Sequence, residues 1–196
     1  MEATSLLRPG FADPVMHAQE TFRMVLDAMS RPGSLHASTV SLEPPRSLHP
    51  ATAALCLTLL DHETPLWLDP SLESDEVWTF LRFHCGCPLA EERSAAAFAV
   101  LDGAPCGLAS FAQGTPEYPD TSATLICQVE GLREHGPLIL RGPGIRDRAS
   151  LGLSPFPATF LEEWEGNQAR FPRGVDIIWV SGKTIVGLPR TTRLEM

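Results

Sequence analysis

Phe22, Val25, Leu26 and Met29 repeat at the i, i+3, i+4, i+7 spacing of one helix face, which predicts an amphipathic helix over 14–30 with these four residues buried. Asp13 is a suitable N-cap, Pro14 suits the first helical position, and Arg31-Pro32-Gly33 stops the run. Further helices are expected at about 51–61, 74–83 and 158–165, with a short one at 105–111 closed by Gly114. Runs rich in β-branched and other apolar residues predict strands at 35–40, 65–68, 96–101, 123–129 and 138–140. Segments 176–180 and 184–187 read as a closing hairpin around Ser181-Gly182-Lys183. Strands alternate with helices early and pair locally late, the order of an α/β protein with a three-layer mixed sheet and helices on both faces. Glu43-Pro44-Pro45-Arg46 and Leu153-Ser154-Pro155-Phe156-Pro157 are the clearest loops. No repeat or linker interrupts the chain, so residues 1–196 read as a single domain.

Composition narrows the classes of function. A formal charge of −9 argues against general nucleic-acid or anionic-membrane binding, which need basic surfaces. No apolar run is long enough to span a bilayer, and Met1–Gly10 lacks a secretory core, so the cytoplasm is the expected compartment. Lys183 is the sole lysine beside fourteen arginines, a bias that composition explains more simply than ligand binding. Five cysteines without an export signal point to reduced thiols, with Cys56 and Cys127 in apolar runs as small buried hydrophobes.

Motifs that tempt a catalytic reading fall short. Ser181-Gly182-Lys183-Thr184 resembles the end of a phosphate-binding loop, but Ile177 stands where the first glycine belongs and a strand follows instead of a helix. Gly142-Pro143-Gly144 has Asp147 in place of the third glycine of a dinucleotide loop. The C-x-C spacing of Cys85 and Cys87 is too tight for a structural zinc site, and no second ligand pair appears, so no metal is expected. No G-x-S-x-G elbow is present, and Glu162-Glu163 read as a solvated helix face. What remains is a set of polar residues near element ends: Arg82, His84, Glu117, Asp120, Arg141, Arg190, Thr191 and Thr192. Loops at strand ends gather sites in α/β proteins, so these eight are candidates for a substrate cleft or an interface, two readings that sequence leaves open.

Seven sequence words, in order, carry a family likeness: 22–33 (FRMVLDAMSRPG), 60–68 (LDHETPLWL), 81–88 (LRFHCGCP), 114–129 (GTPEYPDTSATLICQV), 140–145 (LRGPGI), 171–176 (FPRGVD) and 187–192 (GLPRTT). From about residue 11 to 193 the chain resembles the PhnH family of the bacterial carbon–phosphorus lyase machinery. The resemblance implies a fold similar to the large domain of pyridoxal-phosphate-dependent transferases, without that cofactor. Independently, a pyridoxal-phosphate enzyme needs a Schiff-base lysine, and Lys183 in an expected tight turn is poorly suited. The resemblance also implies a role with PhnG, PhnI, PhnJ and PhnL-type companions in phosphonate metabolism. The implied reaction transfers the ribose triphosphate of ATP to an alkylphosphonate and expels adenine, and the isolated chain is implied to form a homodimer. No complete catalytic constellation accompanies these words, which favours a non-catalytic or site-completing subunit. The alternatives are a stand-alone transferase of a phosphorylated or nucleotide substrate, using the arginine and carboxylate loops, and a metal-dependent protein using Cys85 and Cys87.

Overall fold

The computed structural model describes residues 7–157 and 159–196. The first helix, α1 (Pro14–Ser30), has the expected bounds: Asp13 accepts a hydrogen bond from the Met16 amide at 3.1 Å, and Pro14 opens the first turn. It leads to β1 (His36–Ala37), α2 (Pro50–Leu59), β2 (Leu66–Leu68) and α3 (Asp75–His84). Ser74 caps α3 by accepting from the Val77 amide, and Asp75 and Glu76 lie in its first turn, where the helix dipole favours negative charge. Next come β3 (Phe98–Asp102), β4 (Thr124–Gln128), β5 (Gly131–Arg141), β6 (Ala149–Ser154) and α4 (Thr159–Gln168). The chain closes with β7 (Asp176–Ser181), β8 (Thr184–Leu188) and β9 (Arg193–Glu195).

Six strands form a mixed sheet in the order β1-β8-β7-β4-β3-β2. Strands β2, β3, β4 and β7 run parallel, while β7–β8 and β8–β1 are antiparallel. Side-chain alternation assigns each face its layer. Val100, Ile126, Ile178, Val180 and Ile185 join a core with α1, α2 and α3. Leu101, Leu125, Cys127, Ile177, Trp179, Val186 and Leu188 join a second core with α4, β5 and β6. The architecture is therefore α/β with a mixed sheet, and the expectation of helices on both faces needs one correction. On the second face α4 shares its layer with a three-stranded antiparallel sheet, β6-β5-β9.

That small sheet was the least visible element in sequence. The sequence pattern predicts only 138–140 of β5, and it predicts a loop at 153–157, whereas β6 runs to Ser154. Glu134 and Leu138 both face Leu151, so His135-Gly136-Pro137 bulge out and hide the alternation. A Cβ on Gly136 would lie 2.1 Å from the Gly152 Cα, so two glycine backbones meet there. Strand β1 is also shorter than the expected 35–40, and the helix expected at 105–111 is only a single 3-10 turn, Leu108–Ser110. Gly107, at φ +69°, blocks an earlier start. The expected start of α4 at Ala158 lies outside the described residues.

Helix α1 buries only part of the face its apolar spacing predicts: Val25 and Met29 pack on the core, but Phe22 and Leu26 do not. Thr21, Val25 and Ala28 are buried, while Phe22 and Leu26 are 47% and 53% exposed. The reason lies across the interface: a Cβ on Gly187 of β8 would come within 2.5 Å of the Ala28 carbonyl oxygen. The helix backbone seats directly on that glycine, and so close an approach admits only the small-residue stripe.

Beyond α1, His36 Nε2 hydrogen-bonds Ser34 Oγ at 2.7 Å, and burial together with the charge of Arg31 holds its pKa below the ordinary imidazole value. The native state therefore binds fewer protons here than the unfolded chain. Its contribution is full above the unfolded pKa of about 6.5 and declines as pH falls toward the lower native value. The urea midpoint of His36→Gln is expected to fall less than that of the parent between about pH 7.5 and pH 5. Parallel midpoint curves for the two proteins would contradict the assignment.

Candidate functional site

Asp176 opens β7, and the antiparallel register pairs Ile177 with Leu188, so Arg190 emerges at the same end of the hairpin. Strand β4 runs parallel to β7 with Thr124 opposite Asp176, which brings the loop before β4 to that end as well. Arg190 fastens all of these segments. Its Nε donates to both Asp176 carboxylate oxygens at 3.2 Å, and its Nη2 bonds Asp176 Oδ2 and Ser122 Oγ. Its Nη1 donates to the carbonyls of Pro119 at 3.0 Å and Pro172 at 3.2 Å. The Arg190 amide adds a 2.7 Å bond to Asp176 Oδ1. The two side chains are only 13% and 19% exposed. This is the forked, bidentate use of arginine, filled by the protein's own groups.

Beside this knot lies a cavity of about 1060 Å³. Leu161, Trp164 and Phe171 form one wall, with Arg190, Thr191 and Leu194 on the other. Trp164 is buried, stacks on Phe160 and donates from Nε1 to the Thr192 carbonyl at 2.8 Å, holding the C-terminal segment against α4. Carboxylates Glu162, Glu165 and Glu195 line the cavity against Arg190 and Arg193, and Arg190 is already paired with Asp176. That balance is unfavourable for a triphosphate held by this chain alone.

The sequence-derived candidates therefore divide. Arg190, Thr191 and Thr192 do meet at one place, with Thr192 buried behind the cavity wall. Arg141 reaches this region only from the surface, 3.7 Å from Glu195 and 3.6 Å from Asp147. Glu117 and Asp120 are exposed, and their loop joins Arg190 through the Pro119 carbonyl and Ser122 instead. Arg82 and His84 belong to α3, which packs on the opposite face of the main sheet from α4, so they do not join the cavity beside Arg190. His84 donates from Nε2 to the Arg8 carbonyl at 2.9 Å and seats the segment before α1. Nearby, Arg8 pairs with Glu76 at 2.6 Å and holds that carboxyl below the usual carboxylate range.

Two further features bear on chemistry. The knot lies at the amino ends of β4 and β7, whereas ligands of open α/β sheets gather outside carboxyl ends where strand order reverses. Here β2, β3, β4 and β7 follow one another without reversal. At the carboxyl end of β4 sits Gln128, which sequence reading missed: buried, it accepts from the His49 amide at 2.6 Å and donates to the Ser47 carbonyl at 2.9 Å. A polar residue ending an apolar strand was the only signal it gave. Ser181-Gly182-Lys183-Thr184 is a hairpin turn, with Gly182 at φ +58°. Among the described residues no group of three or more His, Cys, Asp or Glu side chains is placed to hold a metal ion.

These features define an α/β protein on a mixed sheet with a cleft between its last helix and its C-terminal strand. The chain belongs to the PhnH family, described as bacterial phosphonate metabolism protein (PhnH), whose pattern matches residues 9–195. It is 40% identical over 198 residues to alpha-D-ribose 1-methylphosphonate 5-triphosphate synthase subunit PhnH of Rhizobium meliloti (strain 1021), covering all of this chain and 99% of that protein. It is also 31% identical over 180 residues to the putative C-P lyase subunit protein HtxG of Stutzerimonas stutzeri, covering 91% of this chain and 86% of that relative.

Proposed function

We propose that this chain is the PhnH subunit of a carbon–phosphorus lyase system and takes part in the transfer of the ribose triphosphate of ATP to an alkylphosphonate, with release of adenine. It works with PhnG, PhnI and PhnL-type companions, in an assembly that also includes a PhnJ-type subunit, and it completes or supports their site instead of carrying the chemistry. Displacement at the ribose anomeric carbon needs positive charge near the triphosphate and a positioned phosphonate oxygen. The observation that carries this reading is the employment of Arg190: its guanidinium is occupied by Asp176, Ser122 and two carbonyls, so the best-placed cation of the cleft serves the fold. The end-to-end similarity to a synthase subunit supports the same role.

Lys183 is exposed at the β7–β8 turn, a site that does not fit a buried Schiff base. The same reading takes the chain as a pyridoxal-phosphate-free relative of the transferase large domain that works in the cytoplasm and self-associates when isolated. Among the described residues no helix is long and apolar enough to cross a membrane.

The test is adenine release from ATP and methylphosphonate by the co-expressed companions, with and without this chain. Release that depends on the chain, with no turnover by the chain alone, is the expected result. Turnover by the purified chain would instead assign the cleft beside α4 to a stand-alone transferase.

A further inference from the structure

The segment that stops α1 and the bulge of β5 meet at a depression that shares no lining residue with the cleft beside α4. Glu134 and Leu138 both pair with Leu151, so residues 135–137 leave the ladder between β5 and β6. A bulge re-aims the side chain it carries, and here that side chain is an imidazole. Among the described residues, His135 is the one non-glycine at positive φ, +59°. Glycine takes this left-handed conformation without the steric penalty that a Cβ brings, so histidine costs the fold stability that glycine would not. The chain does use glycine next door, where Gly136 packs on Gly152. Strained residues of this kind cluster at ligand clamps and active sites.

The groups around His135 define the chemistry. It lines a cavity of about 500 Å³ with Gly33, Glu134, Arg148, Ala149 and Ser150. Gly33, at φ +84°, lies so close to this wall that a Cβ would stand 3.0 Å from Ala149 Cβ and 3.1 Å from Leu140 Cδ2. The backbone after α1 therefore forms one side of the cavity at a position fixed by packing. Arg148 and His135 are exposed and, among the described residues, enter no ion pair. The neighbouring Asp147 faces Arg141 at 3.6 Å instead. A guanidinium and an imidazole are donors suited to an oxyanion, and the guanidinium fork matches two phosphate oxygens. Glu134 on the same wall repels a second anion but accepts from hydroxyl groups, and Ser150 can donate or accept. The volume exceeds what a bare phosphate fills and leaves room for the carbon skeleton that carries it.

We propose that this cavity binds a sugar phosphate, the phosphate ester of a small polyhydroxylated skeleton. His135 and Arg148 hold the phosphate, and Glu134 and Ser150 hold the neighbouring hydroxyls. The site is built from this chain alone and needs no companion subunit. It therefore goes beyond the subunit role, and adenine release by the companions and binding by the isolated chain are decided separately.

Isothermal titration of the full chain with ribose 5-phosphate is the test, with ribose, gluconate and inorganic phosphate as comparison probes. One ribose 5-phosphate per chain, with a dissociation constant of about 1 mM or tighter, is the expected result. Ribose should show no saturable binding, and gluconate and inorganic phosphate should bind more weakly than the ester. Arg148→Gln should weaken ribose 5-phosphate roughly tenfold or more, because the charged fork is lost. His135→Gly should also weaken it while holding or raising the urea midpoint, since relief of the left-handed strain offsets the greater chain entropy of glycine. Unchanged affinity in either variant overturns the proposal, as does no saturable binding by the parent chain. Gluconate binding as tightly as ribose 5-phosphate overturns the phosphate assignment. A fall in both affinity and urea midpoint for His135→Gly would show that the histidine serves the fold, and overturns its role in the site.

Discussion

Replacement of Arg190 by alanine is expected to lower the unfolding free energy by about 3–5 kcal/mol, the range for breaking a largely buried ion pair from one side. The truncated protein keeps the Asp176 carboxylate in place with only the residue-190 amide as a remaining donor, and strips the carbonyls of Pro119 and Pro172 of a partner. Much of the cost is the desolvation of a carboxylate that cannot return fully to water, so the loss should exceed that of any exposed pair in this chain. Arg190→Lys separates charge from shape: an ammonium restores one contact to Asp176 but has no planar fork to reach the carbonyls and Ser122 together. It should fall between the parent and the alanine variant. Urea denaturation measures all three, and a loss below about 1 kcal/mol for Arg190→Ala would mean that the knot is peripheral to stability.

The second large effect is expected at Gly144, within the Leu140–Ile145 stretch. Its φ of +80° is a left-handed conformation costing an L-residue about 1–2 kcal/mol. A Cβ there would also stand 2.1 Å from the Ser30 carbonyl oxygen and 3.0 Å from Pro32 Cδ. Backbone cannot yield as a side-chain tip can, so an overpacking cost of about 1–3 kcal/mol adds to the conformational one. Gly144→Ala should therefore lose about 2–5 kcal/mol in all. Gly182 is the control: at φ +58° it meets no atom within 4 Å, so Gly182→Ala should incur only the conformational cost. Equal losses for the two variants would show that the contact between this loop and the end of α1 can relax.

Both sites explain why the words that carry the resemblance look like packing and turns more than chemistry. Leu140–Ile145 and Gly187–Thr192 hold the end of α1, the seat of α1 on β8 and the Arg190 knot. The candidate site was legible only in fragments. Arg190, Thr191 and Thr192 were identified because polar residues follow an apolar strand, but nothing near them in sequence announces that Asp176 lies across the hairpin. Arg82 and His84 had the same local appearance and lie on the other face, since the side of a sheet taken by a helix is a matter of packing. Gln128 was missed because its partners, Ser47 and the His49 amide, are about eighty positions away.

Sequence by itself determined what nearby residues dictate: the bounds of α1, the helix that became α3, the β7–β8 hairpin and the membership of the family. Helix caps, proline starts and hairpin turns are made by groups only a few residues apart, so their signals survive in the linear chain. Tertiary structure alone decided which stripe of α1 is buried, how β5 bulges against β6, and that the Arg190 guanidinium is filled from within. Each of those outcomes depends on atoms brought together from distant segments. There, close approach of backbones at glycine and the cost of an unpaired buried charge outweigh local periodicity.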